Sequence, residues 1–231
     1  MARTGFFHHV GSFLLFSASV LLIITCISAP VVNDIALLKV ELEDGPGRDH
    51  SAVTFGTFGY CQTNVNGQDL CSDSRVGYSP AAVMRAVDGT RFSEYAEDTA
   101  RVLTRVMILH PVACGLNFLA FLLALGAGAL GSLLAGLVAL LAFAATAVAC
   151  VVDFVLFGIV RNHVRDNNDE LGGSDAEYGA AAWTALVSAV CSLVGAVVVF
   201  ATCCSARLRR RREVVVKEEG GAVPRRRWGR W

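Results

Sequence analysis

Apolar residues along this chain are concentrated in four long runs, and polar segments of unequal length separate the runs. The runs cover residues 10–29, 106–125, 133–160 and 180–203. A helix of about 20 residues crosses the roughly 30 Å hydrocarbon core of a bilayer, because each residue adds about 1.5 Å. The pattern therefore predicts four transmembrane helices within a membrane domain of residues 10–204. The longest polar segment, residues 31–104, becomes the loop between the first two helices.

The first loop carries an aromatic and glycine-rich segment, residues 55–61, and a second cysteine ten positions later. Alternation of glycine with aromatic and β-branched residues predicts a short strand that another backbone can approach closely. Midway between Cys61 and Cys71, Asn66-Gly67 supplies the positive φ angles of a hairpin turn. We therefore expect a Cys61–Cys71 disulfide if the loop faces an oxidising compartment. The alternative is two unrelated cysteines in a disordered loop.

The rest of the polar sequence carries weaker patterns. A strand is expected within residues 31–43 and a further short strand at residues 75–78. Residues 81–87 and 93–104 have helical spacing, with Ser93 as an N-cap. The second polar loop, residues 161–179, lacks the ligand spacing of a calcium loop and is expected to be a solvated connection. The predicted fold class is an all-α membrane bundle of four helices, with a small disulfide-pinned antiparallel β-sheet in the first extracellular loop.

Charge adds an orientation to this picture. Hydrophobic residues make up 54% of the chain and charged residues 17%, which is too apolar for an ordinary soluble domain. Half of the 20 basic residues follow Cys204: Arg207, Arg209, Arg210, Arg211, Arg212, Lys217, Arg225, Arg226, Arg227 and Arg230. Positive charge beside a membrane helix stays in the cytosol, so both chain ends, residues 1–9 and 205–231, are expected to be cytosolic. A cleaved signal peptide within residues 1–29 is the alternative reading of the first run.

The basic tail, residues 205–231, has too few apolar residues to fold and is expected to be disordered. Basic residues next to a membrane attract anionic inner-leaflet lipid. The predicted lipid-headgroup patch comprises Arg207, Arg209, Arg210, Arg211 and Arg212. Cys203 and Cys204 lie at the end of the fourth run, where juxtamembrane cysteines are candidates for palmitoylation. A simple topological stop signal explains the same residues without lipid binding, and this topology also makes nucleic-acid binding unnecessary.

One acidic residue and one histidine fall inside the predicted spans. Asp153 is costly to bury in a membrane and needs a partner or a task, and Arg101, Arg105 or a backbone donor could pair with it. His110 could sense protons, although a histidine at this depth more often only hydrogen-bonds a neighbouring helix. Small residues recur along the third and fourth runs and indicate close helix packing, inside the bundle or between copies in an oligomer.

Several function classes find no support in the sequence. It contains no zinc-protease, serine-hydrolase or paired-aspartate motif, and no glycine-rich phosphate loop follows a strand. A membrane transporter would normally have more transmembrane helices than four, or several polar groups near the bilayer midplane. We therefore expect a protein that is not an enzyme and has no catalytic residues, no metal site and no cofactor.

Three ordered segments make the chain resemble the fungal PalI-type branch of the claudin-like tetraspan superfamily. Residues 55–61 with 76–78 resemble its first-loop signature, residues 108–111 the start of its second helix, and residues 152–157 the end of its third. The resemblance runs from about residue 13 to residue 203. The tryptophan of the claudin loop motif is absent, which argues against a paracellular barrier. The signature residues are Phe55, Gly56, Phe58, Gly59 and Tyr60.

The resemblance implies a multi-pass accessory protein or scaffold of the plasma membrane that assists alkaline-pH sensing by supporting a seven-helix sensor. Cys61 and Cys71 would lock its outer surface, and Phe58 and Tyr60 would anchor that surface to the helices. Two other functions remain open. One is an eisosome-type organiser of membrane domains that forms lateral homo-oligomers, affects cell-wall morphogenesis and has no sensor partner. The other is a direct proton-sensing receptor that uses His110 and Asp153.

Overall fold

The computed structural model of the chain describes residues 6–42, 50–65, 67–126, 129–171 and 174–221, with side chains described except at 7, 129, 130, 132, 167–171 and 206–221. In these residues the helices are α1 (Phe6–Cys26), α2 (Pro80–Val87), α3 (Glu94–Val106), α4 (Leu109–Leu125), α5 (Ala129–Leu171) and α6 (Ala180–Gly221). The strands are β1 (Leu38–Glu41), β2 (Ala52–Phe55), β3 (Tyr60–Val65), β4 (Gln68–Cys71) and β5 (Asp175–Tyr178).

The four predicted membrane spans are confirmed. Helices long and apolar enough to cross a bilayer cover His8–Cys26, Glu94–Leu125, Leu133–Asp166 and Ala180–Ser205. The second of these joins α3 to α4 through a short turn at residues 107–108. The first helix ends at Cys26, three residues before the predicted end, and the third continues to Leu171, past the predicted residue 160.

The fourth helix also differs from the prediction. Helix α6 continues to Gly221, through part of the tail that the sequence predicted to be disordered from residue 205. Residues 222–231 lie outside the described residues, as do the side chains of the predicted headgroup patch.

The four long helices form a bundle in which α1 and α5 each pack against both α4 and α6. Small residues line these contacts. The buried small side chains include Ala142, Thr146 and Cys150 on α5, and Ser188, Ser192 and Ala196 on α6. Because these residues are buried within one copy of the chain, the small-residue pattern of the third and fourth runs is explained by packing inside the bundle.

All the strands belong to one antiparallel sheet with the order β4-β3-β2-β1-β5. The side of the membrane on which this sheet lies is called the sheet side below. Strand β5 was missed by the sequence analysis, which expected a solvated connection there. It pairs with β1 in a register that places Ala176 opposite Val40 and Tyr178 opposite Leu38. Four residues give too short an alternation to predict a strand, so only pairing with β1 reveals it.

Two other strand predictions were wrong in detail. The segment of residues 55–61 is not one strand: β2 ends at Phe55, β3 begins at Tyr60, and the N–H of Gly56 donates to the carbonyl of Gly59 at 2.8 Å. Residues 75–78 form a turn instead of a strand, and Gly77 has a φ of +78° that a strand does not accommodate.

The apolar core is divided between two levels. On the sheet side, a core of large side chains lies between the sheet and the ends of the helices, and it includes Leu38, Phe55 and Phe157. Deeper in the bundle, a second core consists mostly of alanines, with Leu15 and Val199. The sheet is therefore packed directly onto the bundle and forms one structural unit with it.

Candidate functional site

The junction between sheet and bundle is built around four aromatic side chains. The ring of Phe55 lies at the centre, with centroids 6.3 Å from Tyr60, 6.5 Å from Tyr78 and 6.3 Å from Phe157. Rings at these separations attract each other beyond the effect of buried area alone. Tyr60 is thus connected to α5 through Phe55 and Phe157, and the anchoring role that the resemblance implies for Tyr60 stays a prediction. Phe58, the other predicted anchor, is half-buried and makes no ring contact with another described aromatic residue.

The turn between β2 and β3 is fastened to the end of α1. A side chain at Gly56 would place its Cβ 2.0 Å from the carbonyl oxygen of Ala29, so only glycine permits this approach. Thr57 adds two bonds, because its N–H donates to Ser28 Oγ at 3.0 Å and its hydroxyl donates to the carbonyl of Thr25 at 2.8 Å. The close backbone approach predicted for the glycine-rich segment is confirmed, and its partner is the chain that follows α1.

Tyr78 ties this turn to α3. Its side chain is 2% exposed, and its hydroxyl donates to the carbonyl of Gly56 at 2.7 Å. The hydroxyl of Thr104 donates in turn to the Tyr78 carbonyl at 2.7 Å. Burial raises the pKa of Tyr78 above its usual value, and the nearby Asp153 acts in the same direction. The phenol therefore stays protonated, and keeps its hydrogen bond, throughout the physiological pH range.

The predicted disulfide is confirmed. Cys61 on β3 and Cys71 on β4 face each other across the hairpin, with Cα atoms 4.0 Å apart, and form the bond. The side-chain oxygen of Asn33 lies 2.9 Å from Cys61 Sγ and 3.4 Å from Cys71 Sγ, and its amide donates to Asp69 at 3.3 Å. The disulfide thus joins the outermost strand pair, and Asn33 connects that pair to the segment that follows α1.

A fully buried polar pair lies beneath the sheet, inside the bundle. His110 on α4 and Asp153 on α5 are 0% and 1% exposed, and His110 Nε2 lies 2.9 Å from Asp153 Oδ2. The partners expected for Asp153, Arg101, Arg105 or a backbone donor, were therefore wrong. The hydrogen bond from His110 to a neighbouring helix is the arrangement found. The two residues are far apart in sequence, so their pairing depends on how α4 packs against α5.

The geometry of the pair fixes its proton count. His110 Nδ1 lies 3.0 Å from the carbonyl of Met107, which can only accept, so Nδ1 carries a hydrogen. One more proton must lie between Nε2 and Oδ2, either on the imidazole or on the carboxyl group. Both forms are neutral overall, which suits an apolar bundle. Asp153 Oδ1 is buried without a hydrogen-bond partner among the described residues.

A second polar cluster joins three helices near the middle of the bundle. The side-chain amide of Asn117 on α4 donates to Thr146 Oγ1 at 3.1 Å, and its oxygen accepts from the Ser192 hydroxyl at 2.8 Å. The role of Asn117 was not predicted from the sequence. The available signal was an amide side chain inside a mostly apolar span, because such a group must find a partner on another helix.

The far end of the bundle carries the two candidate acylation sites. Cys203 is 8% exposed, whereas Cys204 is half-buried. Cys204 therefore presents more of its surface outside the bundle than Cys203 does. Among the described residues, no group of three or more His, Cys, Asp or Glu side chains is arranged to hold a metal ion.

Comparison with known proteins gives a family match over most of the chain: a model of the SUR7/PalI family matches residues 7–195. The pH-response regulator protein palI/RIM9 of Pyricularia oryzae is 29% identical over 151 residues, which is 62% of this chain and 19% of that protein. The pH-response regulator protein palI/prr-5 of Neurospora crassa is 30% identical over 112 residues, 48% of this chain and 14% of that protein.

A third relative has no assigned role. The uncharacterized membrane protein TOS7 of Saccharomyces cerevisiae is 30% identical over 101 residues, 44% of this chain and 15% of that protein. The match therefore spans less than a fifth of the length of each of these three relatives.

Proposed function

The chain belongs to the SUR7/PalI family, and from that membership we propose that it is a non-enzymatic accessory protein of the plasma membrane that supports a partner sensor of alkaline pH. Two of its relatives are named pH-response regulators, which supports a role in the same response. The partner would be a seven-helix membrane protein, which this chain helps to reach or to remain at the plasma membrane.

The observation that carries the proposal is the rigid attachment of the sheet to the bundle. An accessory protein needs a preformed surface, because a surface that orders only on binding costs the complex affinity. Here the close approach at Gly56 and the aromatic cluster hold the sheet in one position on the helices, and the disulfide joins the two outermost strands of the sheet. All four residues of the edge strand β4 are exposed, so the partner would meet a strand whose position is already fixed.

The proposal places the sheet outside the cell and both chain ends in the cytosol. The ten basic residues after Cys204 support this orientation, because positive charge stays on the cytosolic side. The disulfide supports it independently, because disulfides persist outside the cytosol. In the cytosol, the basic residues after Cys204 would hold anionic inner-leaflet lipid, and Cys204 is the better exposed of the two candidate palmitoylation sites.

The test is deletion of the gene, followed by growth and by processing of the pH-responsive transcription factor at alkaline pH. The proposal expects both to fail and to return with the wild-type gene, and it expects proximity labelling of the tagged protein to reach a multi-pass membrane partner. Normal signalling in the deletion strain, together with immobile cortical spots of the tagged protein, would favour the membrane-domain organiser instead.

One observation favours a second candidate, a receptor that responds to protons directly. The His110–Asp153 pair shares a proton in the bundle beneath the sheet. A receptor of this kind would lose its response when the pair is replaced. Normal signalling by the combined His110→Ala and Asp153→Asn variant would exclude it, whereas loss of signalling by a variant that still reaches the plasma membrane would favour it over the accessory role.

A further inference from the structure

The arginines that lie on helices at the sheet side of the membrane fall into two groups. Arg85 pairs with Glu97, Arg165 pairs with Asp175, and Arg161 donates to the carbonyl of Ala176. These three have partners within the protein. The second group consists of Arg101 and Arg105 on α3, and both are exposed.

Neither side chain of the second group makes a hydrogen bond or an ion pair with the part of the chain that the structure describes. Asp98, one turn earlier on the same face of α3, is not within ion-pair distance of Arg101. Two cations that the fold leaves unneutralised therefore lie four residues apart. That spacing puts them on one face of a helix, about 6 Å from each other.

The same face continues into the membrane. Below Arg105, this face includes Ile108, Val112 and Leu119, which are 49%, 50% and 45% exposed. Between the two arginines, Val102 is 57% exposed. Exposed apolar side chains at helical spacing on a spanning helix face lipid. The arginines therefore stand at the top of a lipid-facing strip.

The length of the helix sets their depth. Helix α4 ends at Leu125, where the chain turns back towards α5. About 20 helical residues fill the hydrocarbon core, and counting these back from Leu125 reaches Val106. Arg105 thus lies at the edge of the hydrocarbon, and Arg101 lies one turn, about 5.4 Å, above it. This is the level of the lipid headgroups, where arginine side chains extend towards phosphate and water.

The side chain of Arg105 is also held in position. A Cβ built on Gly77 would lie 2.9 Å from Arg105 Cγ, so the turn at residues 76–77 covers the stem of this arginine. Its guanidinium has no hydrogen-bond or ion-pair partner among the residues that the structure describes. Because the aliphatic part of the Arg105 side chain is already packed, less side-chain entropy is lost when its guanidinium binds a ligand.

We propose that Arg101 and Arg105 form a binding site for the phosphate group of a phospholipid in the sheet-side leaflet. Guanidinium groups bind phosphate oxygens through paired N–H donors, and two of them one helical turn apart can hold one phosphodiester from two directions. The acyl chains of the same lipid would lie along the apolar strip below. The site fixes the height of α3, and with it the sheet, relative to the membrane surface.

The test measures lipid binding to the full chain in detergent by native mass spectrometry. The probes are a phosphatidylcholine and a diacylglycerol with the same acyl chains, so that only the phosphate-containing headgroup differs. The wild type is expected to retain one phosphatidylcholine and to bind the diacylglycerol about tenfold more weakly. Equal binding of the two lipids by the wild type, or no retained phospholipid, would overturn the proposal without any variant.

Variants locate the site. R101Q/R105Q is expected to bind phosphatidylcholine about tenfold more weakly than the wild type, and R101K/R105K about threefold more weakly, because lysine keeps the charge and loses the paired donors. The matched control, R85Q/R165Q, removes two arginines of the first group and is expected to bind as the wild type does. Equal losses in this control and in R101Q/R105Q would contradict the assignment.

Two further outcomes separate lipid from other ligands. Displacement of the lipid by millimolar inorganic phosphate would identify a site for a free anion and overturn the lipid assignment. R101Q/R105Q could also bind lipid as the wild type does but no longer copurify with an acidic membrane protein. That result would assign the two arginines to a protein partner instead of a lipid. The proposed lipid site requires only that the chain spans the membrane. If this experiment contradicts the site, the proposed role in the pH response is therefore unaffected.

Discussion

Removal of His110 tests how the bundle tolerates its buried polar pair. His110→Ala leaves Asp153 with both carboxyl oxygens buried and unpaired, because Oδ1 already has no partner among the described residues. Breaking a buried pair by removing one member typically costs about 3–5 kcal/mol. We expect His110→Ala to lower the free energy of unfolding by an amount in that range.

The Asp153→Asn variant separates this explanation from a simple loss of packing. An asparagine amide can donate to Nε2 of a neutral His110, which keeps Nδ1–H on the Met107 carbonyl, so one interhelical hydrogen bond survives. We expect a loss of about 1 kcal/mol. Replacing both residues by leucine removes the polar groups together and is expected to cost less than His110→Ala alone.

Unfolding in mixed detergent, followed by far-ultraviolet circular dichroism, measures these differences. Asn162→Ala, an exposed polar change on the same helix as Asp153, serves as the control and is expected to shift stability by less than about 0.5 kcal/mol. The reasoning is refuted if His110→Ala behaves like this control, or if Asp153→Asn is as damaging as His110→Ala.

Three further predictions concern the attachment of the sheet. Gly56→Ala should lower the free energy of unfolding in detergent by about 3 kcal/mol, because the added Cβ would lie 2.0 Å from a backbone oxygen. The control Gly115→Ala should leave the stability nearly unchanged, because nothing lies within 4 Å of its added Cβ. Equal effects of the two variants would argue against the close approach at Gly56. Tyr78→Phe should lower the free energy of unfolding by about 1 kcal/mol at any pH from 5 to 9, because the raised pKa of Tyr78 keeps its hydroxyl protonated and hydrogen-bonded. The contribution of this hydroxyl to stability should decline only above about pH 10. A difference between the variant and the wild type that vanishes by pH 8 would contradict this. Cys61→Ser, Cys71→Ser and the double variant should all lower the free energy of unfolding by the same amount, about 2–3 kcal/mol, because each removes the same disulfide. All three should also leave the same fraction of the protein at the plasma membrane. Clearly unequal effects of the two single variants would argue against one shared role.

The membrane spans could be predicted from sequence because lipid imposes a length and a composition on every crossing. The hairpin that carries Cys61 and Cys71 was predictable for a similar reason, since Asn66-Gly67 is a local turn signal. Features set by local chemistry are visible in the sequence. The end of α5 was not predictable from the sequence, because contacts with β5 stabilise the polar end of this helix. In these contacts Arg165 pairs with Asp175.

The candidate site itself was only partly predictable. Both members of the buried pair were identified as polar residues inside spans, yet their contact depends on the rotation of α4 against α5, which periodicity does not specify. The role of Gly56 was visible as a glycine that permits close approach, but the approaching backbone at Ala29 was not. Strand β5 pairs with a strand more than a hundred residues away, and no local pattern encodes such a partner.

The plasma-membrane fraction of the partner pH sensor tests the central claim most directly. A fluorescently tagged seven-helix sensor would be imaged at alkaline pH in cells that contain or lack this chain. The account predicts that the sensor leaves the plasma membrane when the chain is deleted and returns when the wild-type chain is restored. A sensor that remains at the plasma membrane in the deletion strain, and still signals there, would contradict it.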